Sequence, residues 1–173
     1  MNPEDFEKLV DITKNRASDL LARTWNCALS PLAALYESLG LELTPEMEGA
    51  AVGFAGGISG NRHICGALWA AVNTVGAYTR KMQSLRGHRP RLEGGMEFID
   101  ANKEIHELAS KVYRKFIDLF GSPNCGDLNP KFDLVSREQQ RKCRALVRKS
   151  TEIALRVLRE KYGDHLGLTG TSH

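Results

Sequence analysis

Four thiols carry the most chemistry in this sequence: Cys27, Cys65, Cys125 and Cys143. They are an even count, separated by gaps of about 38, 60 and 18 residues. No CxxC pair and no zinc-finger spacing occurs, and CxxCH is absent, so covalent haem attachment is not supported. Thiols so scattered are buried small apolar residues, metal ligands or redox-active groups. In a reducing compartment disulfides rarely persist as structural staples, and a chain of 173 residues does not need them for stability.

The second feature is 53-GFAGGISGNRHICGAL-68. A phosphate-cradling P-loop needs GxxxxGK[ST], and neither Gly53 nor Gly60 has that sequel. A dinucleotide fingerprint needs GxGxxG between a strand and a helix, and both spacing and strand are missing. Glycines so dense let backbone turn tightly or approach another element closely. Near the cysteines, His63 reads as a ligand, a proton carrier or simply a helix-start residue, the last being the default for a lone histidine. Trp25 and Trp69 read as core that shields the site, and Asn26 and Asp127 as hydrogen-bonding groups around it.

The elements that must position these residues are helical almost throughout. Phe6, Leu9, Val10, Ala17, Leu20 and Leu21 mark a first amphipathic helix. A second spans about Asn26 to Leu39 and stops at Gly40; a third starts at the cap Thr44-Pro45-Glu46 and runs to about Val52. A fourth, rich in small residues, covers about His63 to Lys81. A long helix from about Met96 to Phe120 puts Ile99, Ile105, Leu108, Ala109, Val112 and Phe116 on one face, and ends at 121-GSPNCGDLNP-130. The last runs from about Ser136 to Tyr162, with Cys143, Leu146, Val147, Ser150, Ile153, Ala154, Val157 and Leu158 facing inward. The pattern predicts an all-α, single-domain bundle of about five to six helices over 1–173, with a disordered tail over 164–173.

This layout puts Cys27 and Cys65 in the first turns of the second and fourth helices. Partial positive charge and free N–H groups there favour a thiolate. Cys125 falls in a turn with unpaired N–H groups, and Cys143 lies on an inner face between Lys142 and Arg144.

The net charge of +3 is too small to argue for nucleic acid. The basic stretch Arg80–Arg91 has no interleaved aromatic residues for base stacking and reads as a solvated loop. No apolar run reaches the roughly 18 residues of a membrane span. The N-terminus lacks the basic start and apolar core of a signal peptide, so a cytoplasmic location is expected.

The segments 26-NCA-28, 53-GFAGGISG-60, 65-CGALWA-70, 121-GSPNCGDL-128 and Cys143 together resemble the redox-active family named for its motif C_GCAxxG_C_C. The resemblance covers about residues 25 to 160 and uses all four cysteines. Ala70 replaces the last motif glycine, which suggests a looser helix contact, and a slightly long 61-NRHI-64 leaves His63 free to approach the site. The family is similar to the cluster-carrying part of split-Soret cytochromes. Carried over, this makes Cys27, Cys65, Cys125 and Cys143 the ligands of one [2Fe–2S] cluster. Gly57, Gly60 and Gly66 would let backbone approach the sulfurs, with His63 and Asn26 beside them. Helix N-termini, glycine N–H groups and Lys142, Arg144 and Arg148 would offset a cluster charge of about −2 or −3. The resemblance thus implies an electron carrier rather than a substrate-converting enzyme, passing electrons to a redox partner protein, with a homodimer as one expected state. The alternatives are a thiol–disulfide protein without cofactor, and a helical adaptor that is metal-free or held by zinc.

Overall fold

A computed structural model of the chain describes residues 1–88, 92–131, 133 and 136–166. Its first helix, α1 (Pro3–Thr24), starts where the Asn2 side chain accepts the Asp5 N–H, with Pro3 at the first helical position and Glu4 and Asp5 in the positive first turn. It ends at Trp25, whose left-handed backbone (φ 55°) returns an N–H to the Leu21 carbonyl. Then follow α2 (Leu29–Leu39), α3 (Pro45–Gly53), α4 (Gly66–Leu85), α5 (Met96–Ala101), α6 (Lys103–Phe120), α7 (Cys125–Leu128) and α8 (Arg137–Tyr162), with a 3₁₀ turn at Gly163–His165.

The bundle is organised around α4 and α8. Helix α4 packs against α2, α6 and α8, while α1 packs against α2 and α8. The small residues Ala67, Ala70 and Ala71 on α4 are fully buried and let its neighbours come close. Helix α2 buries Leu32, Leu35 and Leu39 completely, each contributing about 1.5–3 kcal/mol by leaving water. On α8 the inward face is the expected one: Leu146, Val147, Ser150, Ile153, Ala154, Val157 and Leu158 are all buried. All-α is therefore correct, and a lone antiparallel bridge between Ile64 and Asn124 is the sole β pairing among the described residues.

Several expectations need correction. The helices number eight among the described residues rather than five to six. The long helix breaks at Asn102, whose buried side chain donates to the Phe98 carbonyl and accepts from the Arg80 guanidinium. Helix α5, on the outer side of that break, buries none of its residues, and Ile99 is exposed. Helix α4 runs past the expected end near Lys81 to Leu85, so the loop begins later than Arg80; Arg89 to Arg91 fall outside the described residues. The tail expected from 164 does not include Leu166, which is fully buried in the core; residues 167–173 lie outside the described residues.

Candidate four-cysteine site

Cys27 sits in the turn between α1 and α2, two residues before the helix rather than in its first turn. Asn26 makes that turn. Its side-chain oxygen accepts the N–H groups of Ala28 (3.1 Å) and Leu29 (2.8 Å), starting α2. Its amide reaches across to the Val52 carbonyl at the end of α3 (3.3 Å). Asn26 thus fixes the backbone around Cys27.

Cys65 is the N-cap of α4, one position before the first turn where it was expected. The glycine stretch delivers it. Gly56, Gly57 and Gly60 all have positive φ, and so do Ile58 (63°), Ser59 (49°) and Arg62 (66°). A Cβ on Gly57 would stand 2.7 Å from the His63 backbone nitrogen, so only glycine fits there.

The chain leaving this loop pairs with the segment that carries Cys125. The Cys65 N–H donates to the Pro123 carbonyl (2.7 Å), and the Cys125 N–H donates to the His63 carbonyl (2.6 Å), flanking the Ile64–Asn124 bridge. Arg62 clamps the same two segments, its guanidinium donating to the carbonyls of Gly126 (3.1 Å) and Asn129 (2.6 Å). Cys125 opens α7. Cys143 lies on α8, where the Gln139 amide one turn earlier donates to its sulfur at 3.2 Å.

Cys27, Cys125 and Cys143 line one cavity, and Cys65 lies within electrostatic reach of it. A charge on Cys27 is felt at Cys65 and at Cys143, and a charge on Cys125 is felt at the other three. All four are free thiols. Burial pushes the Cys65 thiol up to about 12, helped by Cys27 and opposed by the N–H groups of Leu68 and Ala67 at the start of α4. Burial also takes Cys143 up to about 11, against the Gln139 hydrogen bond. It raises Cys27 too, against the N–H groups of Gly56 and Gly66. Cys125 is raised by burial while Asn129 and the Arg62 charge hold it down. Desolvation therefore outweighs every helix-end N–H group, the reverse of the low thiol pKa values expected from position alone.

A cavity of about 220 Å³ opens beside the sulfurs of Cys27, Cys125 and Cys143, with Gly56, Gly60 and Trp25 in its walls. Trp25 is 51% exposed, so it stands at the mouth rather than in the core. Trp69 stacks on Phe54 with ring centroids 4.4 Å apart. The His63 ring is exposed, and the residue serves the site through its carbonyl. Of the three cations expected nearby, only Arg144 lines the cavity; Lys142 pairs with Glu138 (2.9 Å) and Arg148 bonds Asn15 (2.6 Å). Asp127 is engaged with Ser122 and Asn124 within its own turn. Among the described residues no group of three or more His, Cys, Asp or Glu side chains is arranged to hold a metal ion.

Gln139, Asn129 and Arg62 went unrecognised in the sequence. The first two were within reach, since each is four residues from a cysteine in a helical segment. Arg62 carried no local signal, because its partners are more than 60 residues away.

Residues 25–157 match the family described as "Putative redox-active protein (C_GCAxxG_C_C)". The chain belongs to this family. It is also 45% identical over 158 residues to an uncharacterised protein of Archaeoglobus fulgidus, covering 91% of this chain and 98% of that one. No solved structure matches it. Every cysteine that converges here lies inside the family match. No helix among the described residues is long and apolar enough to cross a membrane.

Proposed function

We propose that the protein is a small electron carrier in which Cys27, Cys65, Cys125 and Cys143 hold one [2Fe–2S] cluster. The observation that carries this reading is the convergence of cysteines from four separate segments, with backbone N–H groups facing the sulfurs. The donor set suits the group. Such clusters take four thiolates, and coordination deprotonates a thiol outright, so raised thiol pKa values are no obstacle.

The same pKa values count against thiol–disulfide exchange. There the attacking thiol works best with a pKa near ambient pH, whereas Cys65 stands at about 12 and Cys143 at about 11.

When bound, the cluster supplies one-electron chemistry. The chain's own residues set its potential. N–H groups of Gly56, Gly66, Ala67 and Leu68 and the side-chain amides of Gln139 and Asn129 face the sulfurs. They favour the more negative, reduced state. Burial of Cys65 opposes them.

Purification without oxygen should give a coloured protein with about two irons and two acid-labile sulfides per chain. A colourless product lacking both would overturn the proposal. If its free-thiol count also changed between oxidant and reductant, the thiol–disulfide reading would take its place.

A further inference from the structure

Arg137, Arg141, Arg144 and Arg148 recur at spacings of four, three and four on α8, which places them along one side of that helix. Arg144 lines the cavity. Arg137 and Arg144, and Arg23 beside the cavity residue Ala22, are exposed and pair with no carboxylate among the described residues; Arg141, also exposed, lies close enough to Glu138 for its charge to lower that carboxyl. Glu138 forms its ion pair with Lys142 at 2.9 Å, which leaves the arginines in excess along this helix. Elsewhere cations are spent on carboxylates: Lys8 on Glu4, Lys14 on Glu152, Arg16 on Glu37, Lys111 on Glu160 and Arg156 on Glu7.

Apolar surface lies on the segments that border the cavity Arg144 lines. Trp25 at the cavity mouth, Val52 across the Asn26 bridge and Ile58 in the glycine loop are each more than two-fifths exposed. Ile58 is the most telling of them. A β-branched residue with left-handed backbone costs about 1–2 kcal/mol, and its side chain is still left 43% exposed.

We propose that this face, the arginine ridge of α8 with Trp25, Val52 and Ile58, is the docking surface for an acidic electron-transfer protein of the ferredoxin type. An apolar centre within a rim of one charge is the anatomy of a transient protein interface, and the charge selects a negative partner. Docking there covers the cavity that three of the cysteines line, which brings the partner's cluster close to the sulfurs. The inference rests on the electron-carrier reading. One electron leaves the reduced ferredoxin, which is oxidised, and enters this chain's cluster, which is reduced; no bond or proton changes place.

The test uses the anaerobically purified protein and a small acidic [2Fe–2S] ferredoxin as the probe. Association, measured by calorimetry, should weaken at least about tenfold between about 0.02 M and about 0.3 M salt. It should weaken by about as much in the double variant Arg137→Glu/Arg141→Glu. Arg114→Glu, on α6 and away from the cavity, should leave it unchanged. The rate of electron transfer from the reduced ferredoxin should fall in parallel, while reduction by dithionite stays at the wild-type rate. Association indifferent to salt and to the double variant would overturn the proposal. So would a DNA duplex that binds more tightly than the ferredoxin and loses affinity in the same variant, since the ridge would then be a nucleic-acid surface. Because association needs no cluster, a protein that binds the ferredoxin at this face but lacks iron would sink the cluster reading alone.

Discussion

A Cβ on Gly66 would stand 2.9 Å from the sulfur of Cys27. The same point lies 2.9 Å from the Phe54 carbonyl oxygen, which is backbone and has little freedom to retreat. The first residue of α4 therefore has to be glycine for Cys27 to reach the site. Gly66→Ala is expected to cost about 1–3 kcal/mol by overpacking. The same variant should displace Cys27, so iron content should fall with the melting temperature. A variant that melts like wild type and loads normally would show that the contact is soft.

Gln139 places its amide 3.2 Å from the Cys143 sulfur while its own backbone N–H is held by the Ser136 cap. Gln139→Leu keeps the buried volume and removes the donor. The midpoint potential of the loaded protein should drop by roughly 50 mV, a fraction of one charged hydrogen bond. Potentiometric titration of both proteins decides this, and an unchanged potential would limit Gln139 to packing.

The cluster-free protein should have a strong alkaline limit. Cys65 and Cys143 ionise near 12 and 11 when folded, against an ordinary value of 9.0. A raised folded pKa contributes stability that is complete below pH 9 and is lost as pH rises towards 12, because the unfolded thiols ionise first. Denaturant midpoints should fall across that window. At pH 8, alkylation of the folded thiols should be about 100-fold slower than after unfolding. Rapid alkylation at pH 8 would mean the thiols are not buried as described.

On the acid side the sensitive group is Glu152, which joins α8 to α1. Burial works against its charge. Hydrogen bonds from Lys149 and Arg156 and the charges of Lys14 and Lys149 overcome this and bring its pKa to about 2, from an ordinary 4.5. A lowered folded pKa contributes stability above pH 4.5 that is lost as pH falls towards 2. Its cationic partners are partly exposed and screened, so Glu152→Gln should cost only about 1 kcal/mol at neutral pH and flatten the acid limb of the stability curve.

Arg62 is the remaining lever. Arg62→Ala removes both guanidinium bonds to the Gly126 and Asn129 carbonyls. It should cost about 2 kcal/mol and speed iron loss to a chelator, whereas Arg62→Lys, with one donor head, should fall between. Equal chelation rates in all three proteins would remove Arg62 from the positioning of Cys125.

The helices were legible because a period near 3.6 in Leu146, Val147, Ser150, Ile153, Ala154, Val157 and Leu158 is a local property that burial then rewards. The break at Asn102 was not, since the Arg80 hydrogen bond that accompanies it comes from a separate helix. The candidate cysteines were visible as a set through the family motif. Their high pKa values were hidden, because helix-end position is written locally and desolvation is not. The left-handed backbone of Ile58 and Arg62 was also unreadable, as neither residue type favours it.

The pairing of Ile64 with Asn124 joins points about 60 residues apart in a chain whose other structure is mostly helical. Helices form from near neighbours and form early; a pairing this distant has to wait for the loop between them to close. Closing that loop brings the Cys65 and Cys125 arms together, so the two thiols share one short backbone strut that neither of their helices could supply alone.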